Sequence, residues 1–147
     1  MTATTTRPQT TAASTDAGPR RAFSVLTGLA ALAVLLQGLW AGIFLEHDGQ
    51  RDAANSWIDV HATGGEVAIA LAALATLWAQ FRLRGRRDLV VGAAVLTILL
   101  VLESYLGGLI RDDGKDSLTP VHIPLAMLLM GVAVWLPFRA SRVTPEP

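Results

Sequence analysis

Cysteine is absent from the 147 residues, which excludes disulfides, thiolate metal ligands and cysteine nucleophiles in any compartment. Any metal must then be held by nitrogen or oxygen. Lysine is nearly absent: Lys115 stands alone beside eleven arginines, a bias that suggests a high-GC bacterial genome. Net charge is zero, so no overall field draws a nucleic acid or an acidic partner, and only the placement of charge along the chain is informative. Charge is missing altogether from several long stretches, while 52% of the residues are hydrophobic, more than a soluble domain carries. Lipid is the solvent this composition suits.

Residues 1–19 are rich in Thr, Ala, Ser and Pro and have few large apolar side chains to offset the entropy of ordering, which predicts a disordered tail over 1–20. A second short tail is expected over 141–147. After Arg20 and Arg21 the run 22–45 is uncharged, and at about 1.5 Å per residue it exceeds a hydrocarbon core of about 30 Å. It is also longer than the apolar core of a cleaved signal peptide, roughly 7–15 residues. Three further spans fall at about 57–81, 89–110 and 118–138. Backbone groups in lipid must be satisfied internally, and the alternation of a membrane barrel is missing. The expected fold is therefore an all-α, four-helix transmembrane bundle over 21–140, with sequence neighbours antiparallel.

Orientation follows from the cations. Arg7, Arg20 and Arg21 precede the first span, Arg82, Arg84, Arg86 and Arg87 separate the second and third, and Arg139 and Arg142 follow the fourth. Such clusters mark the cytoplasmic side, so both termini are expected there, in a multi-pass protein of a bacterial inner or plasma membrane. The other two connections, EHDGQRDAANS and RDDGKDS, are dominated by aspartate and are expected to face outward. Polybasic ends can also hold anionic lipid or a partner, but orientation explains these.

The chain repeats itself. LLQGLWAGIF at the end of the first helix aligns with VLESYLGGLI at the end of the third, matching Gln37 to Glu103 and Gly42 to Gly108. VHATGG in the second aligns with VHIPLA in the fourth, matching His61 to His122 and Gly65 to Ala126. The bundle thus reads as two repeated helical hairpins, which puts both histidines at one depth near the outer surface. Thr119 can cap the fourth helix with Pro120 at its first position, and Asn55 or Ser56 can cap the second, setting each histidine about one turn in.

Gly65 and Ala126 lie four residues after their histidines, on the same helical face, and leave space beneath each imidazole. An iron porphyrin clamped by two axial imidazoles needs that space, since it must lie edge-on between helices. Zinc or copper would want further ligands, and apart from His47 there is no other imidazole. The expected cofactor is heme b, with His61 and His122 as ligands. The alternative is a pair of interfacial histidines bonded to backbone or water. His47, in an outer loop among acids, is expected to be solvated.

Glu66 and Glu103 lie inside spans, where a carboxyl is costly and commonly functional. Glu66, five residues from His61, points away from that histidine's face. Glu103 with Gln37, Ser104 and Tyr105 could form a polar layer beneath a cofactor or quinone, or simply join helices. Arg51, Arg111 and Lys115 lie where heme propionates would emerge, though ordinary loop solubility would also place them there.

LESYLGGLIR followed by LTPVHIPLAM, with VHATGGEVA earlier, resembles one four-helix half of the heme A synthase family. In that family each half carries a histidine near the outer start of its second and fourth helices, and each pair addresses a heme. The resemblance implies His61 and His122 as axial ligands of one heme. A full synthase has eight helices and two heme pockets, so this chain would imitate one only as a homodimer. Members also carry a glutamate shortly before the first histidine, where NSWIDVH offers only Asp59, and the loop cysteine pair of many members is missing.

Together these readings predict a cytochrome-like membrane protein acting in electron transfer or heme handling, with a second copy or a redox partner. Six-coordinate iron leaves no open site for substrate, which argues against oxygen activation, and the sequence does not decide whether the chain is an enzyme. The rivals are a cofactor-free scaffold or accessory subunit and a proton-coupled transporter using Glu66 and Glu103.

Overall fold

A computed structural model describes residues 17–47 and 50–142. Four long helices follow one another: α1 Ala17–Glu46, α2 Arg51–Arg82, α3 Arg87–Asp113 and α4 Thr119–Ser141, with a single 3-10 turn, Asp116–Leu118, leading into α4. No strand occurs among the described residues. All four are long and apolar enough to cross a membrane, and the shortest, of 23 residues, spans about 35 Å. The expected all-α four-helix bundle is what forms.

Helix α1 packs on α2 and α4, and α3 packs on the same two, so α2 and α4 stand diagonally across the bundle. Large apolar side chains point outward, among them Leu29, Leu32, Leu74, Leu77, Ile98 and Phe138. The interior is dominated by small ones: Ala30, Ala68, Ala72, Ala75, Ala79, Ala93, Ala133 and Ala140 are all buried. That distribution suits lipid, where association comes from close backbone approach rather than from hiding leucine. Thr76 and Thr97 add a hydroxyl bridge of 3.0 Å between α2 and α3.

Buried residues concentrate toward the end of the bundle that carries Arg20, Arg21, Arg82, Arg84, Arg86, Arg87, Arg139 and Arg142, here the arginine end. Asp88 accepts from Arg86 at 3.0 Å and from Arg139 at 2.8 Å, while Arg86 also reaches the main-chain carbonyls of Arg139 and Arg142. This ties the α2–α3 connection to the end of α4. The sequence reading explained these arginines only by orientation.

Helix boundaries differ from expectation in instructive ways. Residues 17–20, expected in the tail, already belong to α1, where Trp78 Nε1 donates to the Pro19 carbonyl at 3.0 Å and pins the helix start to α2. The rest of the two expected tails, 1–16 and 143–147, lies outside the described residues. Helix α2 starts at Arg51, so Asn55 and Ser56 lie inside it; the Ser56 hydroxyl turns back on the Asp52 carbonyl, and Gln50 occupies the cap without a side-chain bond. Thr119 is the first residue of α4 rather than its cap, because the 3-10 turn hands Leu118 that position. Helix α3 ends at Gly114, whose φ of 63° lies in the left-handed region, and the Lys115 N–H closes on the Leu109 carbonyl at 3.2 Å.

Candidate functional site

Opposite the arginine end lies the histidine end. Seven residues after His61 comes Ala68 and seven after His122 comes Leu129, a spacing that returns to the same helical face after two turns. Ala68 and Leu129 are both buried, so both imidazoles lie on the stripes that face the core. Since α2 and α4 are diagonal, the two rings approach the interior from opposite corners, and each lies within electrostatic reach of the other and of Glu103.

Each ring turns the same atom toward the preceding helix. His61 Nδ1 stands 3.1 Å from the main-chain carbonyl of Gln37 on α1, with Phe44 edge-on at 5.6 Å between ring centres. His122 Nδ1 stands 2.5 Å from Oε2 of Glu103 on α3, a contact whose angle falls outside hydrogen-bond geometry, so the carboxylate and the nitrogen are close but not well aligned. A carbonyl or carboxylate partner calls for the proton on Nδ1, which leaves the Nε2 lone pair of each ring available. That tautomer is inferred from the partners. Both Glu103 oxygens are buried without a hydrogen bond, and Glu103 is only 6% exposed.

Small residues surround these groups. A Cβ built on Gly107 would stand 3.6 Å from His122 Cε1, so α3 comes right up to that ring. Gly65 is half-buried beside the Gln37 side chain, and Ala126 is half-buried one turn beyond His122. A side chain at Gly64 would run into the Gln37 amide.

Of the expected polar layer, Glu103 is buried and Gln37 half-buried, but Ser104 and Tyr105 are exposed, because one and two steps of about 100° carry them off the buried face. The Gln37 amide bonds back to the Ala33 carbonyl of its own helix. Glu66 is exposed on the flank of α2 and shares no face with Glu103. His47, expected to be solvated, is half-buried and folds its Nδ1 onto the Ile43 carbonyl at 2.7 Å, finishing α1. Arg111 sits at the rim, bound to Asp112 at 2.6 Å and 3.9 Å from Asp59, with Glu66 in electrostatic reach. Lys115 pairs with Asp113.

Sequence reasoning missed that Glu103 partners His122. The repeat carried the signal: Gln37 and Glu103 are matched positions, and each serves the Nδ1 of the matched histidine on the following helix, one through its carbonyl and the other through its carboxylate.

Chemically, the end offers two nitrogen donors and one buried carboxylate. Among the described residues no group of three or more His, Asp or Glu side chains is placed to hold a metal ion, so a bare cation lacks a donor set here. Of two open surface grooves, one of about 520 Å³ lies at the arginine end beside Arg21 and Trp78, and one of about 390 Å³ lies on the outside of the histidine end beside Trp40, Val60 and Gly64; neither is lined by a histidine. No family model, curated protein or solved structure matches this chain.

Proposed function

We propose that this chain is an integral membrane protein that binds one heme b, with His61 and His122 as axial ligands, and that it acts in electron transfer or heme handling. The observation that carries this reading is the matched placement of the two rings: both lie on core-facing stripes of diagonal helices, and both turn Nδ1 toward an oxygen of the preceding helix, a carbonyl in hydrogen-bond geometry for His61 and a close but unaligned carboxylate for His122. Metal-bound histidines usually pass their second N–H to a carbonyl or carboxylate in this way. A porphyrin brings its own four equatorial nitrogens, so two imidazoles suffice where a bare ion would need more. Gly107 lets α3 come close to the His122 ring, Gly65 and Ala126 are small, half-buried residues one turn beyond each histidine, and Arg111 at the rim is a cation in place for propionates.

When bound, the group supplies one-electron chemistry at iron. The chain's own part is to orient the two rings through Gln37 and Glu103 and to screen them from lipid with α1 and α3. On this reading the arginine end faces the cytoplasm of a bacterial cell, by the positive-inside rule. Kinship with half of a heme A synthase would make a homodimer the natural assembly.

The visible spectrum of the purified chain, supplied with heme and reduced, tests this. Wild type and His47→Ala should show the split bands of low-spin heme, and His61→Ala and His122→Ala should each lose them. A wild-type chain without those bands overturns the reading. The structure also favours one rival, a cofactor-free scaffold, because His61 fastens α2 to α1 and His122 fastens α4 to α3 without any cofactor. The scaffold predicts that both alanine variants lose stability while no spectrum changes.

A further inference from the structure

We infer that Glu103 is a positioning residue that makes the two axial ligands unequal, giving His122 the stronger electron-donating character and leaving His61 the weaker ligand. This rests on the heme reading above and adds to it an assignment for Glu103, the one buried carboxyl among the described residues.

The two rings share a helical register but not an acceptor. His61 meets a main-chain carbonyl at 3.1 Å, and that oxygen, lying within α1, already accepts its own helical N–H. His122 meets a carboxylate at 2.5 Å. A carboxylate this close to an imidazole favours positive charge on the ring whether or not the N–H is aligned with it, so His122 coordinated through Nε2 would donate more strongly than His61, whose partner is a neutral carbonyl. Nothing competes for the carboxylate: among the described residues Glu103 makes no ion pair with Lys or Arg, and neither of its oxygens has a hydrogen-bond partner. Gly107, one turn along α3, lets the helix approach until the carboxylate can reach the ring. At the matched position on α1, Gln37 spends its amide on Ala33 and offers the histidine only its backbone.

A stronger donor on iron favours the ferric state, so neutralising Glu103 should favour the ferrous one. The test is a redox titration of the full-length, heme-loaded protein with its low-spin paramagnetic resonance signal recorded alongside, comparing wild type, Glu103→Gln and Glu103→Asp. The expected result is a shift of about tenfold toward ferrous iron in Glu103→Gln, which is about 59 mV for a one-electron couple, with a changed low-spin signal. Glu103→Asp, which keeps the charge, should return within about threefold of wild type. If Glu103→Gln loses heme while Glu103→Asp keeps it at the wild-type potential, the acceptor is again shown to matter. The inference is overturned if Glu103→Gln titrates like wild type, if it moves toward ferric iron, if Glu103→Asp behaves as Glu103→Gln does, or if both variants lose heme. A wild-type chain that binds no heme instead brings down the underlying reading, and this inference with it.

Discussion

The two ends of this bundle are built from the same four helices and differ in what fills them. At the arginine end alanines and leucines are fully buried, Phe23 and Thr27 have no exposure, and Asp88 knots two arginines across the helix ends. At the histidine end, beyond Val34, Ala68, Leu100 and Leu129, the one buried residue among those described is Glu103, and its oxygens lack hydrogen bonds. An interior that stays half-covered and holds an unsatisfied carboxyl costs stability, by about 1–3 kcal/mol for such a group and more if it is charged. One half of the molecule is therefore closely packed as it stands, and the other is half-covered around an unsatisfied carboxyl.

The largest expected effect contrasts two leucines on one stripe of α4. Leu136 is fully buried, while Leu125, eleven residues earlier on the same face, is half-buried. Leu136→Ala should destabilise the chain in detergent by about 2–4 kcal/mol, through lost contacts and a cavity. Leu125→Ala should cost about 1 kcal/mol or less. Denaturant titration followed by circular dichroism would measure both, and equal losses would erase the distinction between the ends.

Two glycines on α3 sharpen the same contrast. A methyl on Gly92 would meet Leu136 Cδ2 at 2.8 Å and Trp135 Cζ3 at 2.9 Å, whereas one on Gly107 would meet only His122 Cε1, at 3.6 Å. Gly92→Ala should cost about 1–3 kcal/mol, as overpacking does. Gly107→Ala, adding an ordinary contact at a helical position, should change apo-protein stability by no more than about 0.5 kcal/mol in either direction. The same denaturant titration distinguishes them.

What was legible in the sequence follows from which forces act locally. Uncharged runs such as 22–45 report a membrane span directly, because the cost of burying charge in lipid is paid residue by residue. That the two histidines lie at one end of the bundle was legible for a related reason: each stands near the start of a helix that runs in the same direction. Cap positions were less legible, since Asn55, Ser56 and Thr119 have capping chemistry, but the helices extend past them under the demand that every backbone group be paired. Partner choice was least legible. That Glu103 reaches His122 while Gln37 turns back on Ala33 depends on side-chain geometry across an interface, which spacing along one helix does not encode.

The smallest effect belongs to the Asp88 knot, where the arginine end's order can be tested without touching its core. Asp88 receives Arg86 and Arg139 at 3.0 and 2.8 Å, but its side chain is 29% exposed, so water screens much of the attraction. Asp88→Asn keeps the shape and removes the charge, leaving two arginines near each other without their shared anion. The expected loss is about 1 kcal/mol or less, falling as salt is raised, because added ions screen the repulsion between the freed guanidinium groups. Amide exchange should accelerate around Arg139 and the α2–α3 connection while the histidine end stays as in wild type. Were exchange to rise equally at both ends, the bundle would be one cooperative unit, and the division into a closely packed half and a half-covered one would have no energetic meaning.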